Sequence, residues 1–169
     1  WYSLFGRVQY DYDGKYLFSA MVRRDASTRF GPNNRIGYFP SVSAGWIPSK
    51  EDFFDSNSIS NLKLRGSWGI TGNDKIGSYG WIGSLQGANA EATYPFGNVI
   101  SNGNALGQLA NPDLQWETNE QVNIGFDASF FNSLFDVTVD FYKKTTKNLL
   151  LVPEVSGLLG STAGGSAAP

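Results

Sequence analysis

Apolar and polar residues alternate one by one along much of this chain, and a two-residue period is the period of a β-strand. Val8, Tyr10 and Tyr12 alternate with Arg7, Gln9 and Asp11. Asp13-Gly14 follows, a dipeptide that tolerates the positive φ of tight hairpin turns. The return strand sets Phe18, Ala20 and Val22 against Ser19, Met21 and Arg23. Val42, Ala44 and Trp46 then oppose Ser41, Ser43 and Gly45. Leu62, Leu64, Gly66, Trp68 and Ile70 oppose Lys63, Arg65, Ser67, Gly69 and Thr71, up to a turn signal at Gly72-Asn73-Asp74. The pattern resumes with Val122, Ile124, Phe126, Ala128 and Phe130 against Gln121, Asn123, Gly125, Asp127 and Ser129. After Asn132-Ser133 it restarts, with Phe135, Val137, Val139 and Phe141 against Asp136, Thr138 and Asp140. The fold class expected is all-β and antiparallel.

Alternation alone does not separate a soluble sandwich from a membrane barrel. Three features favour the barrel. The segments Gln115 to Phe131 and Leu134 to Leu151 are long enough for tilted strands that cross a bilayer, which need ~9–11 residues. Aromatic residues flank the short turns, as rings at a membrane interface do: Tyr10, Tyr12 and Tyr16 at one, Phe130, Phe131 and Phe135 at the other. Connections alternate between tight turns (13–14 and 132–133) and long polar loops (roughly 26–38 and 72–114, with another opening after 152). The link at 47–60 is intermediate and fits this pattern less well.

Composition narrows the chemistry. Hydrophobic residues make up 41% of the 169, yet the mean hydropathy is -0.26. Apolar side chains are thus diluted at close range, and no run approaches the ~18 residues of a membrane helix. A net charge of -2 offers no basic field for nucleic acid. The absence of cysteine removes disulfides and thiolate metal sites, and the absence of histidine removes the commonest general base and excludes a Ser-His-Asp triad. Asp136 and Asp140, four apart on one strand, would stand ~14 Å apart, beyond the ~6.5–9.5 Å that inverting glycosidases use. Asp11, Asp13 and Gly14 lack the remaining spacing of a calcium loop. Gly69, Gly72 and Gly77 lack the strand-to-helix setting of a dinucleotide fingerprint. No catalytic residue, cofactor or metal is expected. The start at Trp1 and the Gly/Ser/Ala/Pro ending suggest a piece of something longer.

An ordered series of short motifs sharpens this reading. Phe5-Gly6-Arg7-Val8 leads into Tyr10-Asp11-Tyr12-Asp13-Gly14-Lys15-Tyr16-Leu17, then Val22-Arg23-Arg24-Asp25-Ala26-Ser27. Phe39-Pro40-Ser41-Val42-Ser43-Ala44-Gly45-Trp46 and Ile59-Ser60-Asn61-Leu62-Lys63-Leu64-Arg65 follow, with Gly69-Ile70-Thr71-Gly72-Asn73. Asn111-Pro112-Asp113-Leu114-Gln115-Trp116-Glu117 precedes Asn123-Ile124-Gly125-Phe126-Asp127. The series resembles the barrel of SusC/RagA-like TonB-linked (TonB-dependent) outer-membrane proteins, loosely only around Gly80 to Ala110 and after Pro153. The resemblance implies that residues 1–169 are one segment of a 22-stranded transmembrane β-barrel, with short periplasmic turns and long extracellular loops. It places that barrel in the outer membrane of a Gram-negative, Bacteroidetes-like bacterium, contacting outer-membrane lipid. The implied partners are a SusD-like surface lipoprotein and TonB, the latter through an N-terminal part not in this sequence. The implied solute is a glycan or a peptide.

On that reading Arg7, Asp11, Arg23, Asp25, Lys63, Arg65, Asp127, Asp136 and Asp140 are lumen-facing candidates. They either hydrate the wall and pair across strands or contact a plug or solute. Trp81, Tyr94, Phe96 and Trp116 are loop aromatics that can stack on sugar rings, with girdle anchoring or loop packing the favoured alternative. Lys143, Lys144 and Lys147 read as solvated. The rival expectations are a complete small outer-membrane barrel of about eight strands acting as an adhesin or structural protein, and a secreted, soluble sugar-binding sandwich.

Overall fold

The computed structural model describes residues 1–54, 58–87, 93–107 and 109–151. The six alternating segments become six long strands: β1 Tyr2–Tyr12, β2 Tyr16–Ala26, β3 Ile36–Trp46, β4 Ile59–Asn73, β9 Glu117–Phe130 and β10 Phe135–Lys147. They form one antiparallel sheet in the order β1-β2-β3-β4-β9-β10. Four short strands fill the connection between β4 and β9 as two separate pairs: β5 Leu85–Gly87 with β8 Asn104–Leu106, and β6 Thr93–Phe96 with β7 Val99–Asn102. Neither outer edge, on β1 or on β10, has a partner strand among the described residues. The sheet is therefore an open wall and not a closed eight-stranded barrel. No second sheet packs on it among the described residues.

Turn chemistry sets one end of this wall. Asp13 and Gly14 both take positive φ, as a primed turn requires, and the Gly14 N–H donates to the Asp11 carboxylate at 2.7 Å. The second tip differs from the expected two-residue turn. Phe131, Asn132 and Ser133 all take positive φ, so four residues separate the paired Phe130 and Phe135. That conformation is costly for a bulky residue such as Phe131. Its neighbour β4 holds it: the Phe131 N–H donates to the Ser58 carbonyl and the Asn132 N–H to the Ser60 hydroxyl. The link between β3 and β4 lies at the same end, and its Ile47 N–H donates to the Lys15 carbonyl. It is longer than the 27–35 loop at the opposite end, so connection length does not simply alternate.

The strand limits also shift. β9 starts at Glu117 rather than Gln115 because Trp116 turns into a loop core, and β10 stops at Lys147 because Asn148 takes positive φ. β3 begins at Ile36, inside the expected 26–38 loop, since Ile36 to Phe39 pair with β2. Pro40 lies within β3 and cannot donate to a ladder. The pairing of β3 with β4 accordingly begins only at Ser41–Gly69.

Register reveals how the wall is inclined. Tyr16, at the first tip, stands level with Trp46, Leu64, Phe126 and Val139. The second tip pair, Phe130–Phe135, lies four residues further along. Four residues over four inter-strand steps, at about 3.4 Å and about 4.8 Å each, is an incline of about 35°. A closed barrel of tilted strands has walls at that angle.

Candidate functional site

Each strand carries two chemistries, and the registers keep them on opposite faces. One face bears Tyr16, Phe18, Ala20 and Val22 on β2, ending at Arg24, and Phe135, Val137, Val139 and Phe141 on β10, ending at Lys143. On both strands the first cation comes eight residues above the tip. That is about 27 Å along the strand and about 22 Å after a tilt of about 35°, close to the ~25 Å apolar band of outer-membrane barrels. The lower border follows the tips, and the upper border steps down by the same four residues from β2 to β10. These side chains are open to the surroundings: Val8 is 66% exposed, Ile124 63% and Phe141 71%.

Indoles mark both borders. Below, Trp46 stacks on Tyr16 with centroids 6.5 Å apart, and its Nε1 donates to Glu51 at 3.1 Å. Glu51, just past a 3₁₀ turn at Pro48–Lys50, also faces the Lys15 ammonium at 3.4 Å. Hydrogen bonds from Tyr16, Trp46 and Lys15 hold its carboxyl below the usual 4.5. Above, the Trp68 Nε1 donates to Glu120 at 3.0 Å, and Lys147 pairs with the same carboxylate at 3.0 Å.

All nine predicted charged residues lie on the opposite face. The structure brings three of them together. The Arg65 guanidinium reaches Asp127 at 3.2 and 3.3 Å and Asp140 at 2.8 Å, and the Thr138 hydroxyl donates to Asp127 at 3.0 Å. Gly125 makes this crossing possible: a Cβ there would stand 2.5 Å from an Asp140 oxygen and 2.7 Å from the Val139 carbonyl. Lys63 is paired with Asp127 in register, and Asp11 is occupied by the turn it caps. Arg7 and Asp136 enter no ion pair among the described residues.

For two of these residues the structure selects between the alternatives. Asp25 is 1% exposed, covered by Arg23 at 2.8 Å and by a hydrogen bond from Ser3, so it cannot meet a solute. The Arg23 guanidinium lies 5.5 Å from the centre of the Phe39 ring and belongs to the same packed group. Trp116 packs the loop. It is 7% exposed, with Phe30 at 5.0 Å and Phe39 at 5.4 Å between ring centres. These rings and Leu114 form a buried cluster where β3 and β4 part, and half-buried Trp81 packs on it. Glycines admit the rings, since a Cβ on Gly37 or Gly72 would overlap Phe39. Tyr94 and Phe96 stand exposed on the β6–β7 hairpin. The sequence reading missed this cluster and the Glu51 latch. The Asn111-to-Trp116 motif carried a signal for the first, and nothing local signalled the second.

Among the described residues no three Asp or Glu side chains converge as a metal site, and Asp140 is spent on Arg65.

The family model for the TonB dependent receptor-like beta-barrel matches residues 1–163. A TonB-dependent receptor of Formosa agariphila is 43% identical over 159 residues, covering 92% of this chain and 15% of that protein. The TonB-dependent receptor SusC of Bacteroides thetaiotaomicron is 38% identical over 150 residues, covering 88% and 15%. The solved RagAB peptide importer in its closed-closed state matches with TM-score 0.80 and 34% identity over 94% of this chain and 17% of that one. Its open-open state matches with TM-score 0.80 and 32% identity. The chain thus spans roughly a sixth of the length of these relatives. With the inclined two-faced wall and these matches together, the chain belongs to the TonB-dependent receptor β-barrel family of Gram-negative outer membranes.

Proposed function

We propose that residues 1–169 are one wall segment of an energised outer-membrane importer for large nutrients. The two tips then face the periplasm and the 74–116 loop faces outward. The apolar face meets lipid, and the polar face lines the lumen with Arg7, Asp11, Lys63, Arg65, Asp127, Asp136 and Asp140. A surface lipoprotein of the SusD kind closes the outer mouth, and TonB acts through a plug encoded elsewhere in the parent protein. The solute is a glycan or a peptide; the likeness to a solved peptide importer supports the second.

The inclined apolar band carries this reading. A water-soluble sheet has no reason to keep an apolar height of eight residues on strands at opposite sides, with both borders stepping together. Membership in the TonB-dependent receptor family supports uptake that draws on an external source of energy. The test is uptake of labelled oligosaccharide or oligopeptide by cells carrying the full-length receptor. Uptake stops when the proton-motive force is collapsed. Uptake that continues unchanged contradicts an energised importer.

A further inference from the structure

The polar face divides into two zones of different charge. Near the tips the acids Asp127 and Asp140 share the single cation Arg65. Higher up, one register row crosses all six strands as Arg7, Met21, Ser41, Gly69, Gln121 and Lys144. The row beneath it holds Ser19, Ser43, Ser67 and Asn123 between Gln9 and Tyr142. Neither row contains a carboxylate, although the chain has 15 acids against 13 bases. Small side chains make the middle of these rows concave, and a depression of about 330 Å³ opens there with Arg7 and Lys144 at its two sides. No Asp or Glu lines it. Arg7 and Lys144 are exposed and enter no ion pair among the described residues.

Two cations without an ion pair among the described residues, beside a floor without carboxylates, attract anions, although Glu117 higher on the same face also draws on Lys144. They stand five strand steps apart, about 24 Å along the sheet at about 4.8 Å per step, too far for one small anion to bridge. The ligand must be an extended chain with several negative groups. The floor between them offers hydroxyls and amides, which match a polyhydroxylated chain. It offers no free strand edge, because β2, β3, β4 and β9 are paired on both sides, so peptide capture by strand addition is not available.

We infer that this trough is a subsite for an acidic oligosaccharide, one bearing carboxylate or sulfate groups. Arg7 engages an anionic group as a fork, Lys144 engages another as a point charge, and Ser19, Ser43, Ser67 and Asn123 hydrogen-bond the sugar hydroxyls between them. The inference rests on the polar face being the lumen wall.

The full-length receptor carrying Arg7→Gln and Lys144→Gln together tests it, with an oligouronate, a neutral oligosaccharide of equal length and an oligoglutamate as probes. Oligouronate binding weakens about tenfold and loses salt dependence, while the neutral sugar is unaffected. Unchanged oligouronate binding overturns the inference, as does equal loss for the neutral sugar or tighter binding of oligoglutamate than of oligouronate. A lower melting temperature with unchanged binding also overturns it, because the cations then serve the plug. A separate variant, Ser43→Cys, tests the underlying face assignment with a water-soluble maleimide. If the thiol does not react, the lumen reading fails. If it reacts and oligouronate binding is indifferent to the two cations, only the subsite fails.

Discussion

The wall and the loop end use aromatic and aliphatic residues in opposite ways. Along the wall, Val8, Ile124 and Phe141 stand more than half exposed, and their strands are held by ladder bonds and cross-strand pairs. At the loop end, Phe30, Phe39, Leu114 and Trp116 are buried against one another as in any water-soluble core. The 27–35 and 74–116 loops are tied there as well, through Ser27 to Asp74 at 2.9 Å and the Asn34 amide to the Leu114 carbonyl at 3.4 Å. The difference separates two solvents. The loop end must exclude water by its own packing, whereas the wall leaves its apolar face for hydrocarbon to cover.

The largest effect expected breaks the loop end. Phe39→Ala in the full-length receptor empties the space between Arg23, Gly72 and Trp116 and costs about 3–5 kcal/mol, read by chemical denaturation in detergent. The damage is local, so proteolysis increases in the 27–35 and 74–116 loops while the strands stay protected. A charge in mid-wall sharpens the contrast between faces. Val139→Arg, halfway between Phe135 and Lys143, costs about 2–4 kcal/mol on folding into vesicles, and Thr138→Arg next to it costs far less. Gly125→Ala is smaller, about 1–3 kcal/mol, because the new methyl meets the Val139 carbonyl and displaces Asp140 from Arg65.

The ion pair itself contributes less. Arg65 and Asp140 are each about one-third exposed, so Asp140→Asn costs under ~1 kcal/mol and the cost shrinks in high salt. Smallest of all is the Glu51 latch at the tips. Its carboxyl titrates below the usual 4.5 in the folded state, so the ionised form favours folding. That contribution is complete above the unfolded pKa and is lost as pH falls through the lower folded value. The melting temperatures of the receptor and its Glu51→Gln variant therefore differ at neutral pH and converge as the pH falls through the folded-state value.

Alternation made the wall legible from sequence. A two-residue period assigns a face to every residue once one register is known, so Arg7, Lys63 and Asp136 could be grouped before any contact was seen. The Asp13-Gly14 turn was equally plain. The loop core was not, because Phe30, Phe39 and the Leu114–Trp116 pair come from three separate stretches and no local period links them. For the same reason Asp25 read as a lining charge: alternation gives its face but not what folds over it. Pro40 argued against a strand and yet lies in one, because β3 needs β4 only from Ser41 onward. Phe131 takes positive φ because Ser58 and Ser60, seventy residues away in sequence, hold its turn.

Spin labels placed one at a time along β10 from Asp136 to Phe141, in the full-length receptor in vesicles, test the central claim most directly. Access to oxygen should peak at Val137, Val139 and Phe141, and access to a water-soluble nickel chelate at Asp136, Thr138 and Asp140. Labels at Val139 and Phe141 that are immobile and closed to oxygen would mean a protein layer covers that face, and the membrane wall would be refuted.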